Sequence, residues 1–387
     1  MNNIPSKTFC ILPFNAACIG QDSTVRPCCA FRTDDILGVV SNDSNISQSL
    51  QTEKYKKLRL DHLEGVENSG CMNCYESERQ GRISMRNVWN KRYEETIKNL
   101  NTITEEYIEL EYIETGFGNL CNLSCKMCNT LSSSTFQSII NPDKKFERIY
   151  FGGIEAWTNT DLSKLNRIKL VGGEPMMEPG HIDFLKKLTS ESDCSNITLN
   201  YYTNTTKKPS DIIIKFWEKF KKIELSHSID GIENIQSFQR PGNYIWDDVI
   251  STLDYYFKLG EKIDIEHDIS CVVTPINITQ LPKFFNWAEN KFKNKKFVLR
   301  IHPTKNPYWA NIQNLNNELK DIIRHKLEPI KDKNKHGYAK VINALNSSPV
   351  DNAIGLEDVF NDSIVHKISK YYDQKDIEGK IYESYFG

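Results

Sequence analysis

The residues with the most chemistry in them are the eleven cysteines, and they are clustered rather than scattered. Cys121, Cys125 and Cys128 form a C-x3-C-x2-C run within eight residues. Three thiolates so close together can wrap a cubane and hold three of its irons. The fourth iron then has an open position for a substrate or cofactor, whereas a cluster closed by four thiolates mainly transfers electrons. The competing readings are a zinc knuckle or packing thiols. Structural zinc normally takes four Cys/His ligands in paired spacing, and no His follows Cys128 closely. A second group comprises Cys10, Cys18, Cys28 and Cys29, with the Cys71-x2-Cys74 pair beyond them. Four of these can close a complete iron-sulfur cluster, and C-x2-C also suits zinc. Cys194 and Cys271 stand alone and read as small buried hydrophobes.

The rest of the composition bounds these readings. Lys plus Arg number 49 and Asp plus Glu 51, a formal charge of -2, so nothing points to a polyanionic partner and nucleic acid is not expected. Hydrophobic residues at 39% and aromatics at 11% permit a packed core. No stretch reaches the ~18 apolar residues of a membrane span, and the N-terminus lacks a signal-peptide apolar run. A cytoplasmic, reducing location is therefore expected, where clustered cysteines serve metals rather than disulfides. An odd cysteine total fits a disulfide framework poorly.

Elements must carry these side chains. Residues 107–117, 167–171, 197–203, 222–229, 263–273 and 297–301 are apolar or β-prone runs. Helical patterns fall between them near 130–140, 180–190, 210–220, 245–259 and 280–292. Such alternation predicts an α/β fold with a parallel sheet, closed or curved, and helices outside it. Active sites then lie at the C-terminal ends of the strands. Residues 1–30 read as a hairpin turning at Gln21-Asp22-Ser23, followed by helices over 46–63 and about 73–100. The tail, 312–387, reads as helices at about 313–327 and 357–373 separated by polar loop. Glu109 and Glu111 share one face of the first strand by alternation, as substrate ligands or as partners of Lys and Arg. His227, His267 and His302, in or after strands, read more simply as satisfied core residues.

Four motifs follow successive strands in order. They are the three-cysteine loop, Gly172-Gly173-Glu174-Pro175, Thr203-Asn204-Thr205 and Ser228-Ile229-Asp230-Gly231. Together they resemble the radical S-adenosylmethionine (SAM) superfamily. The resemblance implies a partial (β/α)6 TIM-like barrel over residues 105–305, with a helical C-terminal extension over 306–387. It implies that Cys121, Cys125 and Cys128 hold a SAM-binding [4Fe–4S] cluster. Gly172, Gly173, Glu174 and Pro175 would meet the SAM amino group, with Thr203, Asn204, Ser228 and Asp230 lining the same cofactor. Arg240 would reach the SAM carboxylate, and Val273 and Met127 would pack on adenine. The chain departs from the family at Met127, usually aromatic, and at Thr205, usually Gly.

Cys10-x12-Ser23-x4-Cys28, then Cys71-x2-Cys74, resembles the twitch domain, the half-size relative of the SPASM domain, placed here before the barrel as a small α+β domain over 1–104. Ser23 replaces the pattern's Gly. The resemblance implies an auxiliary [4Fe–4S] cluster on Cys10, Cys28, Cys71 and Cys74. The spacing favours Cys28 over Cys29, and Cys10 stands in the expected place before Leu-Pro-Phe with Cys18 as its alternative; Cys18 and Cys29 otherwise read as packing thiols. The implied activity is reductive cleavage of SAM to a 5′-deoxyadenosyl radical that abstracts hydrogen from the substrate. A one-electron reductant such as flavodoxin or ferredoxin is the expected partner. Peptide or protein side-chain modification is the first substrate expectation. Dehydrogenation or epimerisation of an amino sugar, nucleoside or amino acid is the second. A non-catalytic cluster- or zinc-binding protein is the third.

Overall fold

The computed structural model describes residues 4–386 apart from 21, 33, 42, 100–102, 145–156 and 158. The chain forms two compact units, each from several stretches. The first is Met1–Gly118, Ile149–Asn200 and Ile212–Lys221; the second is Asn119–Arg148, Tyr201–Asp211 and Lys222–Gly387. Nine strands are described: β1 Ala16–Ile19, β2 Thr24–Arg26, β3 Gly38–Val39, β4 Tyr112–Thr115, β5 Arg167–Leu170, β6 Thr198–Thr203, β7 Lys222–Ser228, β8 Ile265–Val273 and β9 Phe297–Pro303. All six strands expected from the apolar runs are present as β4 to β9.

In the first unit the strand order is β3-β2-β1-β4-β5, and β6 is divided between the two units after Asn200. β1 and β2 form the expected hairpin, antiparallel with Cys18 opposite Arg26, and β1 also runs parallel to β4 with Ala16 opposite Tyr112. Residues before β4 run on beside the segment that leads into β1, where Glu109 and Glu111 donate their amides to the Phe14 and Asn15 carbonyls. Phe9, Ile11, Leu12 and Phe14 pack with Tyr93, Ile97 and Tyr112 into one apolar cluster. Buried Asn90 pins that segment: its Oδ1 accepts from the Ile11 amide at 2.9 Å and its Nδ2 donates to the Phe9 carbonyl at 2.9 Å. Cys10 is thereby fixed between two anchored residues.

In the second unit the order is β6-β7-β8-β9, with β7, β8 and β9 parallel. Period-2 alternation splits the sheet faces. Ile269, Cys271, Val273 and Ile301 join Val249, Leu253, Phe284 and Val341 from the covering helices in one core. The opposite face carries Ser226, Ser228, Asp268, Ser270, Arg300 and His302.

The long helices expected over 46–63 and 73–100 are broken, and local chemistry says why. Thr52 caps a second helix, Glu53–Glu64, by accepting from the Tyr55 amide, so Ile46–Leu50 ends before it. Gly81 at φ +70° and the capping box at Ser84 separate Met72–Arg79 from Met85–Arg92. In the tail, Asp362 caps Ser363–Tyr371 and so divides the expected 357–373 helix from Leu356–Asn361. Lys335–Asn346 and Lys375–Phe386 are further helices in stretches the sequence pattern leaves as loop or unassigned.

Candidate functional site

The three-cysteine loop belongs to the second unit, and its backbone is stitched down on both sides. The Ser124 and Lys126 amides donate to the Pro241 and Gln239 carbonyls at 2.8 and 3.0 Å. Thr135 and Ser134 hydroxyls donate to the Cys121 carbonyl at 2.6 and 3.0 Å, and the Ser133 hydroxyl donates to the Leu123 carbonyl at 2.6 Å. Gly242 faces the loop so closely that a Cβ there would sit 2.3 Å from Leu123 Cδ2 and 2.7 Å from the Asn122 carbonyl oxygen. Only glycine permits that approach.

Side chains from the end of β6 and from the residue that follows the helix Glu233–Gln239 reach the loop's sulfurs. Asn204 Nδ2 lies 3.8 Å from Cys121 Sγ and donates to Asn122 Oδ1 at 2.9 Å. Arg240 Nη1 lies 3.8 Å from Cys125 Sγ. Arg240 is also paired with Asp230, Nε to Oδ2 at 2.5 Å and Nη2 to Oδ1 at 3.2 Å. Asp230 completes its shell with the Val272 amide at 2.8 Å and Gln239 Nε2 at 2.8 Å. Burial and the neighbouring Cys125 raise the Cys128 thiol to about 12, and burial raises Cys125 while the Arg240 charge opposes it. These thiols become thiolates only against added positive charge, which is the chemistry a soft, multivalent metal group supplies.

Thr203, Asn204, Ser228, Asp230, Arg240, Met127 and Val273 all lie in this unit. Thr205 stands at φ +63°, a left-handed geometry that glycine adopts freely. Its hydroxyl is within 3.1 Å of His227 Nδ1, and His227 Nε2 is 3.1 Å from His267 Nδ1. Both histidines are held below their usual pKa by burial. Val273 lies wholly in the core on the helix side, and Met127 packs against the same core.

Gly172, Gly173, Glu174 and Pro175 lie in the first unit. Gly172 takes φ +116°, and the Gly173 amide donates to the Gly118 carbonyl at 3.0 Å. Glu174 is fully buried and accepts from the Met176 amide at 3.2 Å.

Residues without a sequence signal also hold the loop. Lys126, fully buried between two cysteines, donates to the Phe238 carbonyl at 2.6 Å and to Gln374 Oε1 at 2.7 Å, with its ammonium 3.4 Å from the Phe238 ring centre. Gln374 Nε2 in turn donates to the Ser237 carbonyl at 2.8 Å, and Ser124 Oγ bonds Tyr372 OH at 3.1 Å. Cys128 packs with Phe136, Ile139, Ile368 and Tyr372. The tail, which carries no motif, is thus an anchor of the loop. Its partners lie 248 residues away in sequence, beyond the reach of any local pattern.

The first unit gathers Cys10, Cys28, Cys71 and Cys74. Burial pushes the Cys10, Cys28 and Cys71 thiols up, Cys71 to about 12, and each is raised further by other members of the set. Burial and the Glu114 charge raise the Cys18 and Cys29 thiols, and Cys18 is raised further by Cys29 and Cys28. His62 was not evident from sequence: its Nδ1 is 2.7 Å from the Thr8 carbonyl and its Nε2 3.6 Å from Cys71 Sγ. Among the described residues, no three His, Cys, Asp or Glu side chains are arranged to hold a single metal ion. The donor chemistry of both cysteine sets, partly buried thiols that repel one another once ionised, fits a cationic iron-sulfur group. Ser23 holds φ +61°, so the hairpin keeps the conformation of the glycine it replaces.

Glu111 is occupied by Asn15, Thr96 and Asn166, and Glu109 by Tyr107 and Lys164, so both serve as structural partners.

No protein-family model matches the sequence, and no curated protein does. Solved structures with similarity to the chain include anSMEcpe with bound AdoMet, at 19% identity and TM-score 0.37, covering 56% of this chain and 60% of that one. Streptococcus suis SuiB bound to S-adenosylmethionine matches at 12% identity and TM-score 0.36, covering 73% and 61%. The radical S-adenosylmethionine methyltransferase TsrM from Kitasatospora setae, with cobalamin and a [4Fe-4S] cluster, matches at 11% identity and TM-score 0.32, covering 48% and 36%. The chain thus spans about three fifths of the length of the first two.

Proposed function

We propose that this chain is a radical SAM enzyme with an auxiliary cluster, acting on a peptide or protein side chain. The observation that carries it is the Asp230–Arg240–Cys125 connection: a charged pair on the fourth-strand motif reaches a sulfur of the three-cysteine loop. A [4Fe–4S] cluster held there would supply one-electron reductive cleavage of SAM and, through it, the power to remove hydrogen from an unactivated carbon.

The chain's own residues do the positioning. Cys121, Cys125 and Cys128 would hold the SAM-binding cluster on a loop fixed by Ser133, Ser134 and Thr135. Asp230 orients the Arg240 fork, leaving Nη1 directed at the sulfur and at any carboxylate seated beside it. Asn204 would fix Cys121 by its amide. Gly172 and Gly173 present close backbone, and the Glu174 carboxylate suits an ammonium. Cys10, Cys28, Cys71 and Cys74 would hold a closed cluster whose role is electron acceptance, with Arg86 contributing positive charge near Cys10.

Anaerobic reconstitution tests this. The expected load is about eight irons per chain, falling to about four in the Cys71→Ala/Cys74→Ala variant, with 5′-deoxyadenosine released from SAM under dithionite in both. Well-loaded protein that releases none would sink the enzyme proposal. Zinc at the N-terminal set would sink the auxiliary cluster alone.

A further inference from the structure

Tyr75 in the first unit is buried, and the chemistry proposed so far does not use its polar atom. The side chain is 4% exposed, and its hydroxyl makes no hydrogen bond among the described residues. The Asn68 amide bears on the oxygen but is itself a donor, so the hydroxyl proton is left without an acceptor. A buried donor without an acceptor is costly and calls for an explanation.

The helix decides where that proton can go. Cys71 caps the N-terminus of Met72–Arg79, and Tyr75 follows it by four residues. Residues four apart share a helix face, and helical side chains lean toward the N-terminus, so Tyr75 covers the turn that Cys71 begins. Arg86 holds the ring in place. Its guanidinium carbon is 5.5 Å from the ring centre, and its Nη1 donates to the Lys7 and Phe9 carbonyls at 2.9 and 3.0 Å. Short of a formed hydrogen bond, the Tyr75 hydroxyl eases ionisation of the Cys71 thiol against the burial that opposes it.

As a thiol, Cys71 is a donor. The Thr8 carbonyl can only accept, so His62 Nδ1, 2.7 Å away, carries the ring proton. His62 Nε2, 3.6 Å from Cys71 Sγ, is then the acceptor for the thiol. With iron in place of that proton the sulfur can only accept, and Tyr75 is a donor one helical turn away.

We propose that Tyr75 donates its hydroxyl to the Cys71 sulfur once that sulfur binds the auxiliary cluster, and that this bond raises the cluster's reduction potential. The proposal rests on the auxiliary cluster of the function proposed above. A donor to a ligand sulfur favours the more negative, reduced state of a cluster, which is the direction an electron acceptor needs.

The test is a redox titration followed by electron paramagnetic resonance. It uses the full reconstituted chain carrying Cys125→Ala, so that the N-terminal set supplies the signal. Tyr75→Phe removes the hydroxyl and keeps the ring against Arg86. About four irons are expected with and without Tyr75→Phe, and the midpoint should move to more negative potential in that variant. The control Tyr107→Phe, whose hydroxyl is bonded to Glu109, should leave the midpoint where it is. An unmoved midpoint at full iron in Tyr75→Phe overturns the hydrogen bond and leaves the cluster standing. Zinc in the N-terminal set overturns the auxiliary cluster and this proposal with it. Thermal unfolding of the metal-free chain adds a check that needs no cluster. There the hydroxyl has no acceptor to stabilise, so Tyr75→Phe should unfold at the parent's temperature or above it. A lower temperature would give the hydroxyl another partner and overturn the proposal.

Discussion

At the residue scale, a few side chains carry more than their share of the second unit. Asp230 is fully buried and Arg240 side chain 12% exposed, so neither charge has water as an alternative partner. Asp230→Asn strands the guanidinium and should lower unfolding free energy by about 3–5 kcal/mol, read from chemical denaturation. A loss under 1 kcal/mol would show that the pair is dispensable. Ser23, at φ +61°, is a left-handed residue that glycine suits better. Ser23→Gly should raise stability by about 0.5–1 kcal/mol, and a decrease would mean that its side chain matters more than its backbone. His181 is fully buried, and burial depresses its imidazole to about 3 from the ordinary 6.5. The unfolded chain then binds the proton that the folded one refuses. The stabilising contribution is complete above pH 6.5 and is lost as pH falls toward 3, at about 1.4 kcal/mol per pH unit. In His181→Gln that slope should flatten; an unchanged slope would acquit this residue.

At the element scale, the loop is only as ordered as the segments that flank it. Gly242→Ala forces a methyl into Asn122 and Leu123 and should cost about 1–3 kcal/mol, together with iron bound by the loop. Gln374→Ala, on a different element, leaves the buried Lys126 ammonium one acceptor short and should cost about 1–3 kcal/mol. Full iron retention in both variants would show that the loop holds its shape unaided. The six strands β4 to β9 were legible because apolar runs of strand length are set by burial on a sheet. The broken helices over 46–63 and 73–100 were less so, because Thr52 and Ser84 interrupt patterns that hydrophobic spacing alone carries through.

For the whole molecule, spacing within one segment was enough to mark the motif residues that the second unit brings together. Cys121 to Cys128 and Asp230 to Gly231 are of that kind. Lys126, Tyr372 and Gln374 were not, because their meaning lies in contacts between distant segments. The two cysteine sets fall in different compact units. Loss of either should leave the other's iron in place, so Cys125→Ala should retain about four irons, counted by colorimetric assay. Loss of all iron would show that the sets load together.

The chain passes from one compact unit to the other five times, at 118/119, 148/149, 200/201, 211/212 and 221/222. On a ribosome this sets an order of events. The three thiols of Cys121–Cys128 leave the exit tunnel early, but Gln374, which fastens Lys126 between them, follows 248 residues later. At roughly 5–20 residues per second that is an interval of about 12–50 s. Throughout it the ligands exist without the latch that holds them. Metal delivered in that window would meet a loop that Gln374 has not yet fastened.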